Sequence, residues 1–325
     1  MKKDNTITVI EPSRGWFHID WSEFWKYREL FVFMVWRDIA VKYKQTLFGI
    51  SWALIGPLLS TVVFTLIFGN LAKLPSDGLP APLFYMAGLV VWRYFSTALT
   101  KCSTSLVGNQ ALLTKIYVPR LIIPISSCIN QIVDFMIGLA MLVILMLWFG
   151  KWPSAYSALI PVVLLLSLIT ALGWGLLFGA LNVRFRDVGQ ILPLLLQLWM
   201  YVTVIFPFSR LPDRWGDWRY LYGLNPMVGA VEGMRWCMMA PYMNETKDVS
   251  KTIDFAQVPG YVEAGRRVTM KFVDGEAVWK VVEQVASPVG PPWILLGVGA
   301  LSAVLMLIIG LGYFKKVESQ FADIV

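Results

Sequence analysis

The sequence predicts an all-α integral membrane protein, and three observations support that fold class. Of its 325 residues, 57% are hydrophobic and only 15% are charged, whereas soluble proteins average about 25% charged. Long apolar segments recur along the chain, and basic residues gather in alternate loops. At roughly 20 residues per crossing, six transmembrane helices are predicted, over about 50–71, 83–104, 121–149, 158–182, 189–207 and 292–314.

The predicted elements divide the chain into five regions. Residues 1–21 are polar and lack the apolar core of a signal peptide, so we expect a flexible cytoplasmic N-terminus. An amphipathic interface helix is predicted over 22–45, and spans one to five with re-entrant outer helices over 50–241. Residues 242–290 are predicted to form a small extracytoplasmic insertion, and 291–325 the sixth span with a cytoplasmic C-terminus.

The segment 22–45 has the pattern of a helix whose apolar stretch is too short to cross a bilayer. Ser22 can cap it, and its apolar residues share one face, although Arg28 and Lys42 fall near that face. This pattern predicts a helix along the cytoplasmic membrane surface. The alternative is a helix packed under the protein without lipid contact.

Charges in the short loops give an independent prediction of topology, because cytoplasmic loops are rich in Lys and Arg. The loops after the second and fourth spans and the C-terminal end hold Lys115, Arg120, Arg184, Arg186, Lys315 and Lys316. The short outer loops hold only Lys73 and Lys151. We therefore expect both termini on the cytoplasmic side of the inner membrane.

The apolar run 221–240 lies outside the six spans and is interrupted by Asn225-Pro226. Proline after asparagine breaks a helix, so we predict a re-entrant pair of short helices with Asn225, Pro226 and Met227 as an outer gate. An interfacial hairpin is the alternative. Further along, Arg267–Val273 and 277–282 flank the turn signal Asp274-Gly275 and predict a β-hairpin.

The sequence lacks the residues that several kinds of chemistry usually require. It contains no GxxxxGK[ST] phosphate-binding loop and no GxGxxG motif, so ATP hydrolysis by this chain alone is not expected. His18 is the only histidine, and Cys102, Cys128 and Cys237 are widely separated, so we predict no metal site and no catalytic residues. The net charge of +7 is attributed to the cytoplasmic loops and not to nucleic-acid binding.

Three polar residues lie deep within the predicted spans. Counted from the span ends, Arg93 and Asp134 both approach the bilayer midplane, where a lone charge costs at least about 2.5–3.5 kcal/mol. We therefore predict that Arg93, Gln131 and Asp134 form an intramembrane polar network. The alternative is that Arg93 faces a transport path alone.

Small residues recur every four positions on the fourth span, at Ser167, Ala171, Gly175 and Gly179. Such spacing lets helix backbones approach closely, so we interpret these residues as packing residues. The spacing leaves open whether their partner helix belongs to the same chain or to a second copy.

Six short motifs lie along the chain: Val35–Leu58, Ala87–Trp92, Leu113–Arg120, Asn182–Val188, Leu224–Met227 and Phe321–Val325. In this order, they resemble the motifs of permease subunits of type 2 ABC exporters for polysaccharides and polyol phosphates. The resemblance spans about 25–240 and 290–325; the insertion 242–290 departs from it. It implies a second copy of this chain, two copies of a separate ATPase that binds ATP and magnesium, and a lipid-linked polysaccharide cargo such as O-antigen, capsule or teichoic acid. No cofactor is expected in this chain itself, whose other contacts are with membrane lipid.

The resemblance further implies that the interface helix and the loop 109–120 meet the ATPase. In that loop, polar residues frame an apolar knob that fits a partner groove; the candidate coupling residues are Leu112, Leu113, Lys115, Ile116, Tyr117 and Arg120. A short helix bound only to lipid is the alternative.

Aromatic and amide side chains offer a surface along which a sugar polymer can slide. The candidates for a substrate path are Trp92, Tyr94, Gln197, Trp199 and Tyr201, with helix packing as the alternative role. Two other classes of function stay open: a membrane glycosyl- or acyltransferase acting on lipid-linked sugars, and a secondary carrier. Scattered carboxylates favour the ATP-driven permease over both.

Overall fold

A computed structural model describes residues 25–44, 51–110, 119–185, 187–205, 208, 213–253, 267–273 and 276–318. The described chain is predominantly helical. Its α-helices are α1 (Arg28–Lys44), α2 (Ser51–Phe64), α3 (Ala81–Gly108), α4 (Ile122–Asn130), α5 (Ile132–Trp148), α6 (Ile160–Arg184), α7 (Val188–Val204), α8 (Pro226–Met239) and α9 (Trp293–Glu318). A π-helix, Thr65–Leu71, extends α2, and 3-10 helices cover Ala155–Leu159, Asp213–Leu224 and Ala240–Tyr242.

Four helical segments in the described chain are long and apolar enough to cross a membrane: Leu54–Leu71, Ile122–Trp148, Ala155–Arg184 and Trp293–Glu318. They coincide with the first, third, fourth and sixth predicted spans. At the second predicted span, α3 has 28 residues but carries Arg93 and Lys101. At the fifth, α7 is apolar but has only 17 residues.

Helix α6 packs against α3 and α9 in the centre of the bundle, and small residues permit the close approach. A Cβ added at Gly175 would lie 2.6 Å from the Cys102 sulfur of α3, and one added at Gly310 of α9 would overlap the Gly173 carbonyl. Ser167 and Ala171 are fully buried. Packing is therefore the role of the small-residue stripe, and at Gly175 its partner helix lies within the same chain.

Helix α8 is buried along its whole length between α3, α6 and α9. Gly229 and Gly299 allow the close contact with α9, because a Cβ at Gly229 would lie 2.7 Å from the Leu295 carbonyl oxygen and one at Gly299 would lie 3.2 Å from Pro226 Cα. Asn225 begins the helix: its side chain accepts a hydrogen bond from the Met227 backbone N–H at 3.1 Å.

Three antiparallel strands, β1 (Asn244–Ile253), β2 (Arg267–Val273) and β3 (Glu276–Pro288), form one sheet in the order β1-β3-β2. Val273 lies opposite Glu276 in the β2–β3 pair, in the region for which the sequence predicts a hairpin; β1 was not predicted. The first strand begins where the Asn244 backbone N–H donates to the Asp77 carbonyl at 2.8 Å. The sheet is thus tied to the end of α8 and to the segment before α3.

Candidate functional site

Helix α1 is bound to the helices on both sides of the loop 109–121. On one side, Arg37 donates to the Asn109 side chain at 3.3 Å, and Asn109 caps the end of α3. On the other side, Met34 is buried against Ile122 and Ile123 at the start of α4. Helix α1 therefore contacts the end of α3 and the start of α4, the two helices that this loop joins.

The candidate coupling residues occupy this loop. Leu112, Leu113, Lys115, Ile116 and Tyr117 lie outside the described residues, and Arg120 lies in the turn that precedes α4. The described structure thus places the attachments of the loop, while the role of its central residues stays a prediction.

Helix α1 exposes several large apolar side chains, Val32, Phe33, Trp36 and Val41, and Trp25 is exposed just before the helix. The charged Arg28 and Glu29 are exposed beside Val32 and Phe33. Neither sequence interpretation is therefore complete, because the helix packs beneath the bundle on one side and keeps a free apolar surface on the other.

Asp134, in the first turn of α5, receives hydrogen bonds from two residues at the end of α1. Lys42 forms a salt bridge with its carboxylate, and the Tyr43 hydroxyl donates to the same group. Lys42 also lies 3.4 Å from the Gln131 side-chain oxygen. Burial, and then the hydrogen bond to Asp134, raise the pKa of the Tyr43 hydroxyl, so it stays protonated and remains a donor.

The predicted polar network of Arg93, Gln131 and Asp134 therefore differs from the observed one in a single residue. Gln131 and Asp134 share a partner, but that partner is Lys42 and not Arg93. The Arg93 guanidinium lies against α2, where a Cβ added at Gly56 would be 2.5 Å from its Nη1 atom. Arg93 still lies near this group, since its charge acts to lower the pKa of the Tyr43 hydroxyl, against the larger effects of burial and Asp134. Asp134 lies three residues after Gln131, where α4 ends and α5 begins.

The aromatic candidates divide into core and surface residues. Trp92 and Tyr94 are only 4% and 1% exposed, and Trp199 packs between Trp92 and Trp174 at ring-centroid distances of 6.0 and 5.5 Å. These positions belong to the core because three helices bury them, so Trp92 and Tyr94 do not line a path in this structure. Gln197 and Tyr201 are exposed on α7 and lie within 3.4 Å of each other.

The predicted gate residues are mainly buried. Pro226 and Met227 lie inside the bundle at the start of α8. The Asn225 amide donates to the Thr203 hydroxyl at 2.9 Å, which joins the start of α8 to the end of α7. Both residues are packed against neighbouring helices in this structure, and the role of Asn225, Pro226 and Met227 as an outer gate stays a prediction.

Three side chains from the segment 222–235 bind three consecutive residues at the end of α7. The Tyr222 hydroxyl donates to the Val202 carbonyl, Asn225 to the Thr203 hydroxyl, and the Arg235 guanidinium to the Val204 carbonyl. We call these six residues the anchor cluster. It satisfies two backbone carbonyls that the last turn of a helix leaves without partners.

Arg235, the charged member of the anchor cluster, has no exposed surface. Its guanidinium lies 2.9 Å from the Glu232 carboxylate, 3.3 Å from the Phe84 carbonyl and 3.6 Å from the centre of the Phe84 ring. Glu232 in turn accepts from the Phe208 backbone N–H at 3.2 Å. This pair was not predicted from the sequence, although opposite charges three residues apart inside an apolar run were a usable signal.

Comparison with known proteins extends these observations. A family model described as "ABC-2 type transporter" matches residues 29–239. The O-antigen export system permease protein RfbA of Myxococcus xanthus is 31% identical over 208 residues, which cover 63% of this chain and 78% of that protein. An RfbA of Klebsiella pneumoniae is 25% identical over 218 residues, covering 66% and 82%.

A further relative, the polysialic acid transport protein KpsM of Escherichia coli, is 27% identical over 215 residues, which cover 64% of this chain and 81% of that protein. The family match includes α1, the loop 109–121, α7 and α8, and it ends before the sheet. It also decides between a membrane transferase and a transport permease in favour of the permease. The chain belongs to the ABC-2 type transporter family.

Proposed function

We propose that this chain is the membrane-spanning subunit of an exporter that moves a lipid-linked polysaccharide across the inner membrane. A separate ATPase subunit, carrying ATP and magnesium, supplies the energy, and two copies of each subunit assemble. The family match and the names of the O-antigen and polysialic acid relatives support this proposal.

The observation on which the proposal mainly rests is the attachment of the loop 109–121. Arg37 binds one end of the loop and Met34 packs against the other, while Lys42 and Tyr43 reach the first turn of α5. A force that the ATPase applies to the loop is therefore transmitted to α1 and to three further helices. When ATP closes the ATPase dimer, the motion therefore reaches the helix bundle through these contacts.

The proposed topology has six crossings with both termini in the cytoplasm. The four long apolar segments provide four crossings, and α3 and α7 provide the remaining two. The 3-10 helix Asp213–Leu224 and α8 then form a re-entrant pair on the outer side, with the sheet beyond it. This arrangement places the loop 109–121 and α1 on the cytoplasmic side and the anchor cluster on the outer side.

The proposed cargo surface is the exposed side of α7. Gln197 and Tyr201 supply an amide and a phenol among exposed aliphatic side chains, a combination suited to sugar hydroxyl and C–H groups. The apolar side of α1 contacts membrane lipid in this arrangement.

Substitution within the loop tests the coupling. Leu113→Asp and Tyr117→Asp should abolish cargo-stimulated ATP hydrolysis while the permease stays inserted and dimeric. Val107→Asp is the matched control, because Val107 is exposed in the last turn of α3 and precedes the loop. If both loop variants hydrolyse ATP with normal stimulation, the coupling assignment is wrong.

A further inference from the structure

We propose that α7 turns about its outer end, which stays joined to α8 throughout transport. The opening for cargo then forms along the rest of α7 and not between α7 and α8. This inference rests on the proposed function, because it assigns the moving and fixed parts of the same exporter.

The first argument is the anchor cluster itself. It joins Val202, Thr203 and Val204 to Tyr222, Asn225 and Arg235. Within a membrane no bulk water replaces lost partners, so separating α7 from α8 would leave backbone carbonyls and a guanidinium unsatisfied. The positive charge of Arg235 also lies at the C-terminal end of α7, where the helix dipole favours it.

The second argument is that α8 is immobilised by its surroundings. All its residues are buried, and its backbone contacts α9 so closely that Gly229 has no room for a Cβ. Arg235 additionally binds the Phe84 carbonyl in the first turn of α3. A helix held by α3, α6 and α9 is a fixed support and not a swinging gate.

Third, away from its outer end α7 packs against its own chain through one side only. Leu192, Leu196 and Trp199 lie in the core on that side, and the Gly189 N–H donates to Asn182 at 3.1 Å. The other side is exposed within this chain, at Ile191, Leu194, Leu195 and Leu198. Pro193 lies inside the helix, where it removes one backbone hydrogen bond and favours bending.

A crosslink across the fixed end gives the direct test. In a chain whose Cys102, Cys128 and Cys237 are replaced by alanine, Thr203→Cys and Asn225→Cys are joined by a short bis-methanethiosulfonate. Export is measured in cells that carry this permease alone, by periodate oxidation and hydrazide labelling of surface polysaccharide. We expect the crosslinked protein to export within about twofold of the same protein after reduction. A loss of tenfold or more that reduction restores would overturn the proposal.

The opposite result is expected lower on α7. Phe95→Cys and Trp199→Cys, whose parent rings lie 5.1 Å apart, join α7 to α3 within the region that should move. This crosslink should reduce export at least tenfold, with recovery on reduction; unchanged export would contradict movement of α7.

Thiol labelling provides a second readout at two exposed positions of α7, Leu198 and Val202, of which Val202 joins the anchor cluster only through its backbone carbonyl. A single Leu198→Cys should change its labelling rate at least threefold between the nucleotide-free and vanadate-trapped complex, while Val202→Cys should change less than Leu198→Cys. Equal changes at both positions would refute a fixed outer end. Absence of ATP-dependent export by the unsubstituted protein would instead contradict the proposed function.

Discussion

Reversal of the Lys42–Asp134 charges tests whether α1 controls the start of α5. Lys42→Glu places a second carboxylate beside Asp134, and Asp134→Lys places two ammonium groups together. Each single variant also disturbs the hydrogen bonds to Tyr43 or Gln131. The double variant restores opposite charges across the same contact.

The expected size of the effect follows from burial. The Asp134 side chain is 13% exposed and that of Lys42 is 41% exposed, so the pair lies between the surface and buried limits. Exposed pairs contribute about 0.2–1 kcal/mol, and breaking a buried pair costs about 3–5 kcal/mol. We therefore expect a coupling energy of about 2 kcal/mol, or roughly 30-fold in an equilibrium constant.

The assay is cargo-stimulated ATP hydrolysis by the complete complex, with dimer assembly monitored in parallel. Each single variant should lose most of the stimulation, and the double variant should recover much of it. Lys44→Glu is the matched control, because it makes the same charge change two residues away on an exposed side chain. A double variant as damaged as the worse single variant would show that the pair does not operate.

Four further outcomes are expected. Tyr43→Phe should destabilise the contact between α1 and α5 by about 1.5–3 kcal/mol, since it removes a hydrogen bond to a charged group, and should lower the stimulation of ATP hydrolysis; normal stimulation would contradict this role. Arg235→Met should destabilise the protein by about 3–5 kcal/mol in thermal unfolding, and Arg235→Met with Glu232→Met should recover much of that loss, because the single variant leaves a buried carboxylate unpaired. Gly310→Ala should cost about 1–3 kcal/mol through overlap with Gly173, whereas Gly297→Ala, with open space around it, should not lower the unfolding temperature. Leu224→Cys, at an exposed position, should react with a membrane-impermeant thiol reagent from outside only, whereas Met227→Cys should be protected from both sides; reaction of Met227→Cys would contradict its burial.

Much of the helical fold follows from the sequence because apolar length and loop charge are local properties. The long segments at 54–71, 122–148, 155–184 and 293–318 were predicted to within a few residues. The packing role of the stripe around Gly175 followed from four-residue spacing alone. Its partner helix did not, because spacing defines a face but not the helix that covers it.

The substrate path was less predictable because aromatic residues serve cores and surfaces equally well. Trp92, Tyr94 and Trp199 have the residue types expected of a sugar path, yet the structure packs them against one another or against Phe135. Only tertiary contacts distinguish these residues from Gln197 and Tyr201, which remain exposed. Composition alone is a weak guide to pore lining.

The charges that did not fit their predicted elements turn out to explain one another. Lys42 fell near the apolar face of the interface helix, and Asp134 was predicted deep in an apolar span with Arg93 in its network. Each of these two charges has the other as its salt-bridge partner, because the first turn of α5 lies beside the end of α1. A charged residue on an apolar helix face still needs a partner of opposite charge. The best candidate for that partner is another charged residue that also departs from the pattern of its own helix. The same reasoning, applied to the run 221–240, pairs Glu232 with Arg235, and Arg235 belongs to the anchor cluster.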